Sequence, residues 1–411
     1  MDQRKLYRTV ESIASQKLNL EEVEMLIETL NQVVKSESIN VNGGRIWKLN
    51  PETGDYQLLY QTGNIRQIEP DFKINVANYP IFDLLSKERT IVGFETDEVL
   101  KQKGILKFSA SGVGDKIKLG DKYYYEYLLA LNKDDIDDDF KIMLSIVATS
   151  LTSQIKQRRY RERANVFKAD LDKGRELQKS ILPQHEYSFQ NYEMFGVTDP
   201  AEIVGGDFFD YLEIGEDNER LGVVVGDAAS KGVSASAEAM YISGAIRMAS
   251  SFEIKIGPLM KRTNQIVNKI FADDRFASLF YGELSADKSG LFLFSNAGHN
   301  PPIFVKRDSN EIKRLDPTGP VLGPAPHSRY TIDSINFGVG DVLLIFSDGV
   351  TDSANSKFEG YGEDRLIKTF QKSKHLTPKE IVYTILEDVV KYSRNGEYSD
   401  DKTLVVIKKT R

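Results

Sequence analysis

The chain has 411 residues, 40% hydrophobic and 28% charged, a balance that excludes wholesale disorder and sets an expectation of two folded units. It has no cysteine, which excludes disulfides, thiolate metal sites and a cysteine nucleophile; with only four scattered histidines, any metal would be held by oxygen and be Mg²⁺, Mn²⁺ or Ca²⁺. The formal charge of −7, without a long basic block, argues against nucleic acid and anionic membranes as partners.

Residues 1–35 read as helical. Leu6, Val10 and Ile13, then Val23, Leu26, Ile27, Leu30 and Val33, recur at three- and four-residue spacing. The opening residues Asp2, Gln3, Arg4 and Lys5 lack the apolar core of a signal peptide, and no stretch of about 18 apolar residues follows anywhere. No membrane span is expected, and the cytoplasm is the expected location. From residue 41 the period changes. Ile46, Trp47 and Leu49, then Tyr56, Leu58, Leu59 and Tyr60, flank the turn Asn50-Pro51-Glu52-Thr53-Gly54-Asp55, which predicts strand, turn, strand. Further strands are expected over 90–94, 105–108 and 123–131, so that 38–148 forms a mixed α+β unit. The acidic run 134–139 suits a solvated loop and a helix N-terminus. A calcium loop is the weaker alternative, because the glycine and terminal glutamate of an EF-hand are missing.

Residues 139–183 predict one long helix ended by Pro183. Leu144, Val147, Leu151, Ile155, Tyr160, Ala164, Phe167, Leu171, Leu177 and Ile181 approximate a heptad seam, although Gly174 and Gln178 fall where apolar residues would fit better. Two readings stand: a surface helix packed on its own domain, or a parallel coiled coil over 149–183 that makes the chain a homodimer. The length without glycine before Gly174 favours the second. Beyond it, strands are expected over 221–226, 277–284, 291–295, 303–306, 342–347 and 403–408, and helices over 234–250, 257–272 and 378–392. Strands come in consecutive groups with helices between, which fits an antiparallel α+β sandwich over 184–411 better than regular βαβ winding.

Four aspartate motifs punctuate this second half. They are Val204-Gly205-Gly206-Asp207-Phe208-Phe209-Asp210, Val225-Gly226-Asp227-Ala228-Ala229-Ser230-Lys231-Gly232, Phe346-Ser347-Asp348-Gly349-Val350-Thr351-Asp352, and Ser399-Asp400-Asp401-Lys402-Thr403. Each sets a carboxylate at or beside a strand end, and the first three set it next to glycine, which lets backbone approach a ligand closely. Carboxylates that converge repel one another unless a cation lies between them, and hard divalent ions with oxygen ligands meet that need. Any one Asp-Gly is ordinarily a turn; four in this order are a specific combination.

With these motifs, residues 180–409 resemble the PPM-type, protein phosphatase 2C-like serine/threonine phosphatases of the bacterial SpoIIE/RsbU branch. Glu176-Leu177-Gln178-Lys179-Ser180-Ile181-Leu182-Pro183, Asn296-Ala297-Gly298-His299-Asn300-Pro301-Pro302 and Gly319-Pro320-Val321-Leu322-Gly323 support the resemblance. It implies an α/β/β/α sandwich with two divalent ions, Mn²⁺ or Mg²⁺, at one end. Asp207, Asp227, Asp348 and Asp400 would be ligands, Asp227 bridging both ions, with the carbonyl of Ala228 completing one shell. Asp207 and Asp227 would be central to catalysis, and Asp210 and Asp401 are nearby candidates for direct or supporting roles. Water would be the nucleophile, which suits a chain without cysteine. The family's second motif usually has glycine where Ser230 stands. The implied function is removal of phosphate from a phosphorylated regulatory protein such as an anti-sigma-factor antagonist, with a pseudophosphatase that binds its partner without turnover as the alternative.

The remaining conspicuous residues have plain readings. A structural hydrogen bond is expected for His299, core packing for Trp47, and either a turn-capping or a phosphate-meeting role for Lys231. Gly43-Gly44-Arg45-Ile46-Trp47-Lys48-Leu49, the hairpin after it, and Ala130-Leu131-Asn132-Lys133 before a closing helix resemble a GAF domain. That resemblance implies a small-molecule or protein signal, or a dimerisation scaffold. The Asp-Glu pair of cyclic-nucleotide binders is missing after Phe140, so no cyclic nucleotide is expected. The architecture expected is therefore α+β throughout: N-terminal helices over 1–37, a GAF-like domain over 38–148, a helical linker over 149–183 and a phosphatase sandwich over 184–411.

Overall fold

The computed structural model describes residues 20–95, 98–102, 107–215, 219–271, 275–287, 289–309, 311–396 and 400–411. The helix expected over the first 19 residues, the strand start at 105–106, the helix end at 272 and Ser399 lie outside them. The chain divides into two compact units, Met1–Phe167 and Lys168–Arg411.

In the first unit, α1 (Glu22–Lys35) precedes a six-stranded antiparallel sheet. Its strands are β1 (Gly43–Asn50), β2 (Asp55–Gly63), β3 (Lys73–Asn75), β4 (Thr90–Phe94), β5 (Lys107–Leu119) and β6 (Lys122–Asn132), in the order β3-β2-β1-β6-β5-β4. The short helices α2 (Ile81–Glu88) and α3 (Glu98–Gln102) flank β4 in sequence. The expected hairpin forms across Asn50 and Asp55, which pair at its end. Both faces of the sheet are covered. On one, Ile46, Leu129 and Leu131 meet Met25, Leu26 and Leu30 of α1 and the start of a long helix, α4 (Asp138–Ile181). On the other, Trp47, Tyr56 and Leu128 meet Leu85 of α2.

The seam of α4 does not serve one purpose. Leu144, Val147, Leu151 and Ile155 are buried in the first unit's own core, whereas Tyr160, Phe167 and Leu177 are exposed. The reading as a packed surface helix therefore describes its first half. Arg159 fixes that half: its guanidinium reaches Glu22 at 2.6 Å, Glu126 at 2.8 Å and Asp115 at 3.2 Å. Burial that is only partial and several charge-assisted bonds on one planar fork make this a network rather than an isolated surface pair.

The second unit is a four-layer sandwich. One sheet, in the order β15-β12-β11-β10-β9, is built from β9 (Asp207–Ile214), β10 (Arg220–Ala228), β11 (Ala277–Ser285), β12 (Leu291–Ala297) and β15 (Asp333–Asn336). The other, β14-β13-β16-β17-β8-β7, comprises β7 (Glu186–Phe189), β8 (Tyr192–Asp199), β13 (Ile303–Val305), β14 (Ile312–Arg314), β16 (Val342–Phe346) and β17 (Lys402–Lys409). Strand alternation sends Phe209, Val225, Phe280 and Phe294 from one sheet against Leu343, Ile345, Val405 and Ile407 from the other. The opposite faces are also covered. Phe208, Val224 and Tyr281 meet α5 (Gly232–Ser250) and α6 (Ile256–Ile270), while Leu344, Leu404 and Val406 meet α8 (Glu363–Ser373) and α9 (Pro378–Ser393). Because both faces are buried, Val342–Phe346 is an unbroken apolar run. Each such side chain contributes roughly 1.5–3 kcal/mol. Helix α9 starts where Thr377 and Glu380 form a capping box ahead of Pro378. A one-turn helix, α7 (Asp348–Asp352), follows β16.

Candidate active site

β9 and β10 run antiparallel, and their register sets Asp207 opposite Asp227 at one end of the sheet. Gly206, just before β9, lies so close to β10 that a β-carbon there would stand 2.9 Å from the Ala228 carbonyl oxygen. The Ala228 N–H in turn donates to the Gly206 carbonyl at 3.2 Å. From the other sheet, β16 delivers Asp348 and the approach to β17 delivers Asp400 and Asp401. Gly349 holds these together: a β-carbon on it would fall 2.0 Å from the Asp401 carbonyl oxygen, so only glycine allows α7 to start there. Ser347 locks the same junction, its N–H donating to Thr403 at 3.0 Å and its hydroxyl to the Asp401 carbonyl at 3.1 Å.

The four ligand candidates Asp207, Asp227, Asp348 and Asp400 thus come from two sheets to one end of the sandwich, with the Ala228 carbonyl beside them. Their electrostatics report the crowding. Asp207 is 2% exposed. Burial first, and the charge of Asp227 second, push its carboxyl well above the usual range, partly offset by the Ser347 and Thr403 side chains. Asp227 is raised to about 7 by burial and by Asp348, Asp400 and Asp401. Asp348 is raised by burial, then by Asp352 and Asp400. The Oδ2 of Asp207 is enclosed and has no hydrogen-bond partner among the described residues. Among the described residues no three Asp, Glu or His side chains form a closed metal-ligating group. What stands there is a mouth of mutually repelling oxygens with one orphaned acceptor, a donor set that fits hard divalent cations.

Asp401 and Asp210 do other work. Asp401 accepts the backbone N–H of Ala201 at 2.8 Å and those of Gly206 and Asp207, so it pins the segment that carries Asp207. Asp210, on the opposite face of β9, is paired with Arg247 of α5 at 2.6 Å and does not join the carboxylate group. Arg247 also donates to the Ile181 carbonyl at 3.0 Å. The last turns of α4 are tied to the first motif more directly. Gln178 is 6% exposed; its amide donates to the Gly205 carbonyl at 2.7 Å and accepts the Gly205 N–H at 3.2 Å. This pair of hydrogen bonds explains the polar residue in the seam, which lies within the Glu176–Pro183 signature. Gly174, one turn earlier, stands against Val204.

Beside the second motif, Ala229, Ser230, Lys231, Ser234 and Arg275 line an open groove. Ser230, where the resembling family has glycine, donates its hydroxyl to buried Glu238 at 2.9 Å, and Arg275 pairs with the same carboxylate. The departure is therefore accommodated within a local network, and Asp227 stands opposite Asp207 in the sheet. Lys231 occupies the N-cap position of α5, and its ammonium lies 3.6 Å from Asp400. His299 is a core residue: its Nδ1 meets Ser278 at 2.7 Å, and burial drops its pKa to about 4.

Three comparisons bear on this geometry. The family description Stage II sporulation protein E (SpoIIE) matches residues 217–410; Asp227, Asp348 and Asp400 fall inside that segment, and Asp207 lies just ahead of it. Protein IcfG of Synechocystis is 25% identical over 348 residues, covering 77% of this chain and 53% of IcfG, so the chain spans about half the length of that relative. Phosphoserine phosphatase RsbU of Bacillus subtilis is 24% identical over 245 residues, 59% of this chain and 71% of RsbU. The solved SiaA-PP2C domain of Pseudomonas aeruginosa shares the fold, with a TM-score of 0.51 and 18% identity over 60% of this chain and 98% of that domain. Residues 217–410, just under half of the chain, are thus similar to the SpoIIE family of PPM-type phosphatase domains.

Proposed function

We propose that the chain is a metal-dependent protein serine/threonine phosphatase acting in signalling, which hydrolyses phosphoserine or phosphothreonine on a regulatory protein of the anti-sigma-factor-antagonist kind. The observation that carries this reading is the convergence of Asp207, Asp227, Asp348 and Asp400, with an enclosed Asp207 oxygen that has no partner among the described residues. Two divalent cations, Mn²⁺ or Mg²⁺, would be held by these carboxylates and the Ala228 carbonyl, where they neutralise phosphate charge and acidify water. The protein's own residues do the rest. Asp401 and Gln178 fix the backbone around Asp207, and Ser347 fixes the junction that presents Asp348 and Asp400. Lys231 and Arg275 place cationic groups on the groove beside the site, where a phosphoprotein's phosphate can dock. Water adds to phosphorus, the bond to the serine or threonine oxygen breaks, and phosphate leaves.

The six-stranded sheet covered on both faces supports the GAF-like reading of the first unit as a sensor. The continuity of α4 from that unit to the Gln178 contact offers a route for control. The exposed apolar residues Tyr160, Val166 and Phe167 on α4 support a homodimer through its second half. Among the described residues no helix is long and apolar enough to cross a membrane. Release of phosphate from a phosphoserine protein, with and without Mn²⁺, tests the activity. Sedimentation of wild type and Phe167→Asp over a range of concentrations tests the dimer, and a wild type that stays monomeric throughout rejects it.

A further inference from the structure

The first unit encloses a cavity of about 70 Å³ between its sheet and α2. Its walls are apolar and aromatic, with Trp47, Tyr56, Phe82, Phe108 and Leu128 among them. The hydroxyl of Tyr56 is already used, donating to the Tyr125 carbonyl at 2.6 Å. Two charged residues line it: Glu95, half-buried just beyond β4, and Arg45. Arg45, on the central strand β1, is 2% exposed.

Arg45 has five N–H donors. Nη1 donates to the Asn132 side-chain oxygen at 3.0 Å and Nη2 to the Arg66 carbonyl at 2.7 Å, both neutral acceptors. Its Nε is enclosed and has no acceptor among the described residues. Asn132 is itself held, donating to the Lys107 carbonyl at 3.1 Å, so it aims its oxygen at the guanidinium. A purely structural role explains these two hydrogen bonds. It leaves unexplained why a full charge is buried beside a largely apolar space where, among the described residues, its hydrogen-bond acceptors are neutral. Burial lowers the Arg45 pKa to about 10, so the group stays cationic at neutral pH.

We propose that this cavity binds a small organic acid with an apolar body, its carboxylate on the Arg45 guanidinium and its body among Trp47, Phe82 and Leu128. Guanidinium and carboxylate match in geometry as well as charge. An apolar cavity with one convergent polar anchor is the usual form of a small-molecule site. Binding itself is independent of the phosphatase reading; only its consequence, control of turnover, rests on it.

Trp47 is the only tryptophan in the chain and lines the cavity, so its fluorescence reports occupancy without reference to activity. The full chain is titrated with phenylacetate, isovalerate and octanoate, each beside its neutral amide, and with acetate and inorganic phosphate. The expected result is a saturable Trp47 response to at least one of the three acids, with its amide and the two small anions at least about tenfold weaker. Arg45→Gln should erase the difference between acid and amide, and Arg45→Lys should keep part of it. Should either variant fail to fold, Ala110→Leu fills the cavity wall, keeps Arg45, and should abolish the response. Failure of all three acids up to about 10 mM, equal binding of acid and amide, or an undiminished response in Arg45→Gln overturns the proposal.

Discussion

Asp227→Asn should stabilise the metal-free protein while it abolishes the site's purpose. In the folded chain the Asp227 carboxyl is buried and faces Asp348, Asp400 and Asp401, which raises its pKa from the ordinary 3.8 to about 7. At about 1.4 kcal/mol per pH unit, ionising it in the folded state costs roughly 4 kcal/mol. The folded pKa lies above the unfolded one. The cost is therefore absent below about pH 4, grows as pH rises, and is complete above about pH 7. Asparagine removes the charge and keeps the shape. Neighbouring side chains relax around any change here, so about 2–4 kcal/mol should be recovered at pH 8. For a unit of this size that is a melting temperature about 5–12 °C higher in chelator. Mn²⁺ should reverse the order. Wild type gains about 2.7 kcal/mol at a hundredfold excess over its dissociation constant, and the variant, lacking a ligand, gains less. Calorimetry at pH 8, in EDTA and then in Mn²⁺, reads both effects. A variant no more stable than wild type in EDTA, or one that keeps the full Mn²⁺ gain, refutes the reasoning.

Gly349→Ala should cost most of the activity in phosphate-release assays, because its β-carbon would collide with the Asp401 carbonyl 2.0 Å away and separate Asp348 from Asp400; unchanged turnover would show that this junction is not needed. Leu151→Asp should unfold the first unit rather than merely split a dimer. Leu151 is 1% exposed in that unit's core, and an unpaired buried carboxylate plus the lost packing costs upward of about 3 kcal/mol; a normal melt with only the self-association lost would place the seam between two chains instead. His299, with its pKa lowered to about 4 by burial, should make stability fall as pH drops from about 6.5 to 4, by about 3 kcal/mol from this group. Urea denaturation should show a smaller fall in His299→Asn than in wild type, and equal falls would mean that His299 is not buried neutral.

The cluster of aspartates was more legible in the sequence than the supports beneath it. Asp207, Asp227, Asp348 and Asp400 stood out because a carboxylate beside glycine at a strand end is a local pattern, and the sandwich brings all four to one end. Strands β10, β11, β16 and β17 were legible because both of their faces are buried, which leaves long apolar runs. The division of labour within Asp400-Asp401 was not legible, since only the fold shows that Asp401 faces the backbone of Gly206 and Asp207. Nor was the separation of Asp210 from the site, which follows from strand alternation and from Arg247, 37 residues away. Gln178 read as a flaw in a seam because its partner, Gly205, is distant in sequence and supplies only backbone. The seam itself misled for a physical reason. The spacing that packs a helix against a second helix also packs it against a sheet, and in α4 the sheet takes Leu144 to Ile155. Helix α8 was passed over although Leu366, Ile367 and Phe370 mark an apolar stripe along it, because the stripe is only about one turn long.

The central claim is that four aspartates from two sheets form one metal-dependent hydrolytic site. It is tested most directly by phosphate release from a phosphoserine protein by wild type and Asp348→Asn, each titrated with Mn²⁺ from zero. Wild type should turn over only with Mn²⁺ and stop on chelation. Asp348→Asn, folded as judged by its melt, should be slower by about a hundredfold or more at any Mn²⁺ concentration. Equal turnover by the two proteins, or turnover by wild type in excess chelator, would contradict the account.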